Sequence, residues 1–224
     1  MIEEIEKRFK ELLRKPKTKE EIEEMEIIRK QFTAELNRET IDLLNDLKKV
    51  DIDISSVWDL VNSKESYPAA IDILLSYLPK QFHPRNKEGI VRALAVKEAK
   101  GKAAKMLIEE YNKTPKEFAS LRWALGYSIA IVMTMEDVNE IFEIVSNLNN
   151  GRSRAELVRA LGTIKTEKSE NILLSLLDDN EVLVEAILGL NKMKSIKAKD
   201  KIKSFKNHSN EMVRKEVNRY LKKV

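Results

Sequence analysis

The chain of 224 residues carries two imidazoles, His83 and His208, and no cysteine. Disulfides, thiolate nucleophiles and thiolate metal sites are therefore excluded. The two histidines stand far apart, and neither has a partner at a spacing that grips a metal. Both read as solvent-facing loop residues. Carboxylates are plentiful, but the run from Glu20 to Glu26 is more simply a solvated helix face than an acid-base pair. No glycine-rich phosphate loop and no Gly-x-Ser-x-Gly elbow occurs. The expectation is a chain without a catalytic centre, cofactor or metal.

The remaining chemistry is cationic. Arg92, Arg122 and Arg159 recur in similar strings: Val91-Arg92-Ala93-Leu94, Leu121-Arg122-Trp123-Ala124-Leu125-Gly126 and Val158-Arg159-Ala160-Leu161-Gly162. They either form an anion-recognising ladder for a partner or pair with carboxylates of adjacent units and hold them in register, a task that suits arginine. Formal net charge is +4, yet the stretch from Asn191 to Val224 holds 12 Lys or Arg against 3 Asp or Glu, so the rest of the chain is acidic. A helix over 195–206 sets Lys199, Lys203 and Lys206 on one flank and Lys197 and Lys201 on the other, with Ala198, Ile202 and Phe205 between. Lysines so placed either solubilise the helix by snorkelling or attract phosphates. Sparse aromatic interleaving favours the first. Lys197, Lys201 and Lys203 are the candidate nucleic-acid contacts if the second holds.

Those residues need elements to position them. Hydrophobic residues make up 42% and charged residues 35%, with only 6 Gly and 5 Pro, which suits helices joined by short connections. Ile2, Ile5, Phe9, Leu12 and Leu13 lie at helical spacing, and Pro16 stops that helix. Thr18 and Glu21 match a capping box at the start of the next. Its apolar series runs through Ile22, Met25, Ile28, Phe32 and Leu36, and Ile41, Leu44, Leu47 and Val50 extend or restart it. A short helix over 55–61 carries Trp58. Residues 1–66 read as a helical cap.

From Tyr67 the pattern repeats, with helix pairs starting near Tyr67, Gly101, Glu136, Lys168 and Ile196. One-sided apolar stripes mark the first helices, for example Val138, Ile141, Phe142 and Val145. The second helices carry the recurring strings, and Val182 to Leu190 is apolar nearly all round, as in a layer packed on both sides. Thr114-Pro115-Lys116-Glu117 has the chemistry of an N-cap followed by Pro at the first helical position. Asn149-Asn150-Gly151 is a turn between pairs. The nearly apolar run from Trp123 to Met135 is too short to cross a bilayer and reads as a buried core helix. Met1 to Arg8, charged and mixed in sign, is unlike a secretory leader. No membrane contact or small-molecule substrate is expected, and the lack of cysteine fits a cytoplasmic location.

The stretch over 67–224 resembles HEAT repeats of the short variety. Ile172 to Met193 carries the resemblance best, with an apolar helix, the turn Asp178-Asp179-Asn180, and a second helix through Val184-Glu185-Ala186-Ile187-Leu188-Gly189. That repeat lacks the Arg usual early in the second helix. The resemblance implies an all-α, right-handed superhelix of about five pairs, continuous with the cap, whose second helices line a concave surface. It implies a scaffold or adaptor that binds a partner, most simply a protein, with Arg92, Arg122 and Arg159 as contacts. Some HEAT-like solenoids are DNA glycosylases acting on alkylated bases with aromatic and acidic residues. Trp58 and Trp123 are the indoles that could serve, but neither stands in a matching motif, and packing is the simpler role for Trp123.

Overall fold

The computed structural model describes residues 2–14 and 18–224, and within them the chain is all-helical, with no strand. The stop assigned to Pro16 lies outside the described residues. No helix among them is long and apolar enough to cross a membrane. Contacts divide the chain into two compact units, Met1–Ile90 and Val91–Val224.

The first unit opens with α1 (Ile2–Leu13) packed against α2 (Lys19–Glu39). Ile28, Phe32 and Leu36 form the buried stripe of α2, and Phe9 stacks on Phe32 at 6.4 Å. The capping box of Thr18 and Glu21 is present, which satisfies backbone N–H groups that a helix start leaves free. Thr40 separates α2 from α3 (Ile41–Lys48). Its hydroxyl donates back to the carbonyls of Leu36 and Asn37, so the apolar series restarts after a break. α4 (Val57–Val61), capped by Ser56 and Asp59, carries Trp58, and α5 (Pro68–Tyr77) packs against α3. The unit boundary falls within α6 (Pro84–Ala93).

The second unit contains four helix pairs. They are α7 (Ala104–Lys113) with α8 (Ala119–Val132), α9 (Val138–Ser146) with α10 (Ala155–Ile164), α11 (Glu167–Ser175) with α12 (Leu183–Met193), and α13 (Lys199–Ser204) with α14 (Glu211–Leu221). The second helices form one continuous layer, α8 on α10, α10 on α12 and α12 on α14. Three first helices begin after a hydroxyl that accepts a backbone N–H: Thr134 from Glu136, Thr166 from Ser169 and Ser195 from Ala198. Each hydroxyl ends one pair and starts the next at the same place, which keeps the period.

Three expectations need correction. Thr114 does not start α8: its hydroxyl donates to the carbonyl of Glu110 and finishes α7, and α8 begins at Ala119 without a side-chain cap. Residues 115–118 form a turn instead, closed by the N–H of Phe118 on the carbonyl of Pro115. His83 is not solvent-facing. Its side chain is 9% exposed, its ring meets Phe32 edge-on at 5.4 Å, and its Nε2 lies 3.4 Å from Glu6. Nδ1 accepts the N–H of Arg85 at 3.2 Å, which offsets part of the cost of enclosing the ring. The segment from Trp123 to Met135 is buried on one side only, because Trp123 and Tyr127 are half-buried and Ile131 is 40% exposed.

Close packing in the second layer depends on missing side chains. A Cβ on Gly162 would lie 2.7 Å from the Cα of Gly189, a backbone contact that cannot yield cheaply. Gly151, by contrast, sits at φ +53 with open space around it, so an added methyl there meets only conformational strain. Gly162→Ala is expected to cost about 2–3 kcal/mol by overpacking, and Gly151→Ala, at φ +53 and ψ −141, about 1–3 kcal/mol by backbone strain alone. Denaturant unfolding of both variants checks this; a loss below about 1 kcal/mol for Gly162→Ala would contradict the tight α10–α12 approach.

Candidate interaction surface

The first helix of each pair ends in carbonyls without intrahelical partners. In the first two pairs of the second unit, guanidinium groups supplied near the start of the second helices take them. Arg122, 5% exposed, donates from Nη1 to the carbonyls of Tyr111, in the last turn of α7, and Thr114, its C-cap, at 3.0 and 2.6 Å. Its Nη2 reaches Asn150 Oδ1 in the following turn at 2.9 Å, and its plane lies 4.2 Å from the centre of the Tyr111 ring. Arg154, fully buried, repeats the arrangement one pair later. It donates to the carbonyl of Val145 at the end of α9, to Gly151, and to the carboxylate of Asp179 in the next turn. The first unit uses a lysine for the same job: Lys87, 7% exposed, donates to the carbonyls of Leu78 and Lys80 after α5.

The predicted arginine contacts therefore separate. Arg122 is enclosed by its own unit. Arg159 is exposed and pairs with Glu156 one turn earlier on the same helix, at 2.5 Å. Arg92 is half-buried, with its guanidinium 5.2 Å from the centre of the Trp123 ring. The three do not form one ladder. Counted from the glycine that closes each string, Arg122 lies four residues before Gly126 and Arg159 three residues before Gly162. One residue turns a side chain by about 100° around a helix, which is enough to send one inward and the other out. Arg154 escaped the sequence reading because it stands four residues before the Val158 string. The signal that could have found it is the acceptor, Asn150 or Asp179, waiting in each following turn.

The lysine candidates are also separated. Lys197 lies 3.4 Å from Glu170 and 3.7 Å from Glu167, and Lys201 lies 2.6 Å from Asp178, so both meet carboxylates of the preceding pair. Lys203 is exposed. Two of three candidate phosphate contacts thus already have anions beside them.

One solvent-facing constellation on the second-helix layer combines residue types suited to recognition. Trp123 and Tyr127 stack nearly parallel, with centroids 5.6 Å apart and planes 12° apart, and Arg92 covers the indole. Ile131 continues the same side of α8 one turn further. Sequence reading assigned Trp123 to packing; its half-buried ring does both, anchored on α8 and open on one side.

In the first unit, the Tyr77 hydroxyl donates to Asp46 at 2.7 Å, Lys49 meets the other oxygen of Asp46 at 2.8 Å, and Lys80 lies 3.4 Å from the centre of the Tyr77 ring. The bond to Asp46 and burial push the Tyr77 phenol up to about 12, while Lys49 and Tyr77 hold Asp46 below its ordinary value. A phenol so raised stays protonated near neutrality and serves as a tie between α3 and α5, not as a base. Among the described residues no group of three or more His, Asp or Glu is placed to hold a metal ion. No protein-family model matches the chain, and no curated protein matches it.

Arg154→Ala removes a buried cation that satisfies carbonyls and the Asp179 carboxylate together, and should cost about 3–5 kcal/mol. Arg159→Ala removes an exposed pair within one helix, and should cost less than about 1 kcal/mol. Chemical denaturation of the two variants distinguishes an inward from an outward arginine; similar losses would contradict the assignment.

Proposed function

We propose that the helix pairs of the second unit stack as a HEAT-type superhelix and that this protein is a non-enzymatic scaffold or adaptor whose second-helix face binds a protein partner. The observation that carries this reading is the stacked pair Trp123 and Tyr127 with Arg92 over the indole. Tryptophan, tyrosine and arginine are the residues most often found to dominate binding energy at protein interfaces, where large rigid rings gain contact area at small entropic cost. A monomer gains little from leaving such a group half open. The regular period of helix pairs supports the stack, and the convergence of buried arginines on backbone carbonyls assigns them to holding the pairs in place, which leaves the aromatic group to meet the partner.

The nucleic-acid reading loses support from the carboxylates beside Lys197 and Lys201, which lower the local field that a phosphate backbone would meet. A base-excision reading lacks an observation in its favour. Trp58 is half-buried in the first unit, and its neighbour Gly89 leaves room for the edge of the indole.

A photo-crosslinking residue placed at Tyr127, in cells that express the chain, is expected to trap a discrete protein that the same residue placed at Lys203 does not trap. Trp123→Ala should weaken the purified complex by about 2 kcal/mol or more, roughly thirtyfold in Kd, with the variant still folded at the temperature of the measurement. Unchanged affinity, or equal trapping at both positions, would remove the aromatic face from the account.

A further inference from the structure

Along the turn edge of the second unit the direction of charge reverses at the last junction. Near the start of α8, Arg122 reaches Asn150 of the following turn, and just before α10, Arg154 reaches Asp179 of the next. The start of α12 presents a carboxylate instead. Glu185 has a side chain only 13% exposed; one oxygen lies 3.6 Å from the well-exposed Arg152, and the other is buried without a hydrogen-bond partner. A buried carboxylate oxygen that has given up water and gained no donor is costly, so it favours any cation that can reach it.

Glu185 lines a cleft of about 460 Å³ together with Arg152, Asn180, His208, Asn210 and Met212. Met212 is 53% exposed and offers an apolar wall. His208 Nδ1 accepts the N–H of Asn210 at 3.1 Å, so the neutral ring carries its proton on Nε2. Asn210 Oδ1 is used by the N–H of Met212 at 2.8 Å, as Asp179 Oδ1 is used by the N–H of Glu181. The turn before α14 thus repeats the local geometry of the turn before α12. Arg214 of α14 donates to the carbonyls of His208 and Ser209 in that turn at 2.7 Å each, but among the described residues no guanidinium bonds the Asn210 side chain as Arg154 bonds Asp179. A cleft of similar size, about 490 Å³, opens over Arg122 and Asn150; there the guanidinium is hydrogen-bonded to Asn150 at 2.9 Å, whereas Arg152 in the Glu185 cleft stays 3.6 Å from the carboxylate.

We infer that the cleft at Glu185 receives an arginine side chain carried by a protein partner, which supplies from outside the charge that the chain supplies to itself at the two earlier junctions. The planar guanidinium meets a carboxylate through paired N–H bonds, and its aliphatic stem lies along Met212. Lysine would bring a point charge without that fork. Ownership of the arginine by a partner rests on the protein-binding reading above; the chemistry of the cleft does not.

The test is a titration of the full chain with N-acetyl-arginine amide, followed by nuclear magnetic resonance at the Met212 methyl and the Asn210 amide. N-acetyl-citrulline amide, neutral and of nearly the same shape, is the control. Saturable shifts at both signals are expected with the arginine probe, and binding at least about tenfold weaker with citrulline or with Glu185→Gln, the loss of one charge-assisted hydrogen bond. Arg152→Ala, at an exposed position, should tighten the arginine probe by up to about fivefold because a competing surface cation is gone. Equal binding of the two probes, no saturable shift at Met212 and Asn210, or undiminished affinity in Glu185→Gln would overturn the inference. So would weaker binding in Arg152→Ala, which stays informative if Glu185→Gln fails to fold. Trp123→Ala should leave this titration unchanged, so failure at the cleft and failure of the aromatic face are separate outcomes.

Discussion

A helix pair can be repeated only if the carbonyls at the end of its first helix are satisfied inside the stack, where water does not reach them. In this protein long cations with several donors meet that constraint at the ends of α5, α7 and α9. Arg122 and Arg154 each bridge the end of one helix and the side chain of the next turn, and Lys87 serves the end of α5. A guanidinium has enough N–H groups to serve carbonyls of one pair and an acceptor of the next at once, which an ammonium or an amide cannot match. The same groups that close each pair therefore also set where the following pair begins. The hydroxyls of Thr134, Thr166 and Ser195 fix the opposite ends of the connections.

Much of this was legible in the residues, because apolar period and turn chemistry act locally. The starts near Gly101, Glu136, Lys168 and Ile196 fall within about three residues of α7, α9, α11 and α13, well inside the ordinary error of element boundaries. Thr18 with Glu21 and the turn at Gly151 also behave as local signals should. What stayed hidden depends on direction or on distant partners. Arg122 and Arg159 stand in similar strings but face opposite ways, because their offsets from the packing glycine differ by one residue. Arg154 has an unremarkable neighbourhood and acquires its role from Asp179, 25 positions away. Thr114 and Pro115 spell a helix start, yet α8 begins at Ala119, and the Thr114 hydroxyl donates back to the carbonyl of Glu110 at the end of α7. His83 looked exposed because it precedes Pro84, whereas contacts with Phe32 and Glu6 enclose it.

The division of labour among cations bears on function. Where arginine is turned inward it is spent on the backbone, and at the basic end Lys197 and Lys201 meet carboxylates of the preceding pair. The surface that remains chemically distinctive is aromatic: Trp123 and Tyr127 on α8 under Arg92. At Glu185 the internal pattern of donor and acceptor is reversed, and the cleft there is complementary to the group that the rest of the stack uses on itself. Recognition of a partner by such a stack would thus reuse the interactions that hold its own pairs together.

A double-mutant cycle between Arg154 and Asp179, with Arg154→Met and Asp179→Asn measured singly and together by denaturant unfolding, tests the coupling of neighbouring pairs most directly. A buried guanidinium that joins one pair to the next predicts an interaction energy of about 2 kcal/mol or more, within the range of strongly coupled neighbours. Additive losses, with an interaction energy near zero, would contradict it and leave the register of the helix pairs to apolar packing alone.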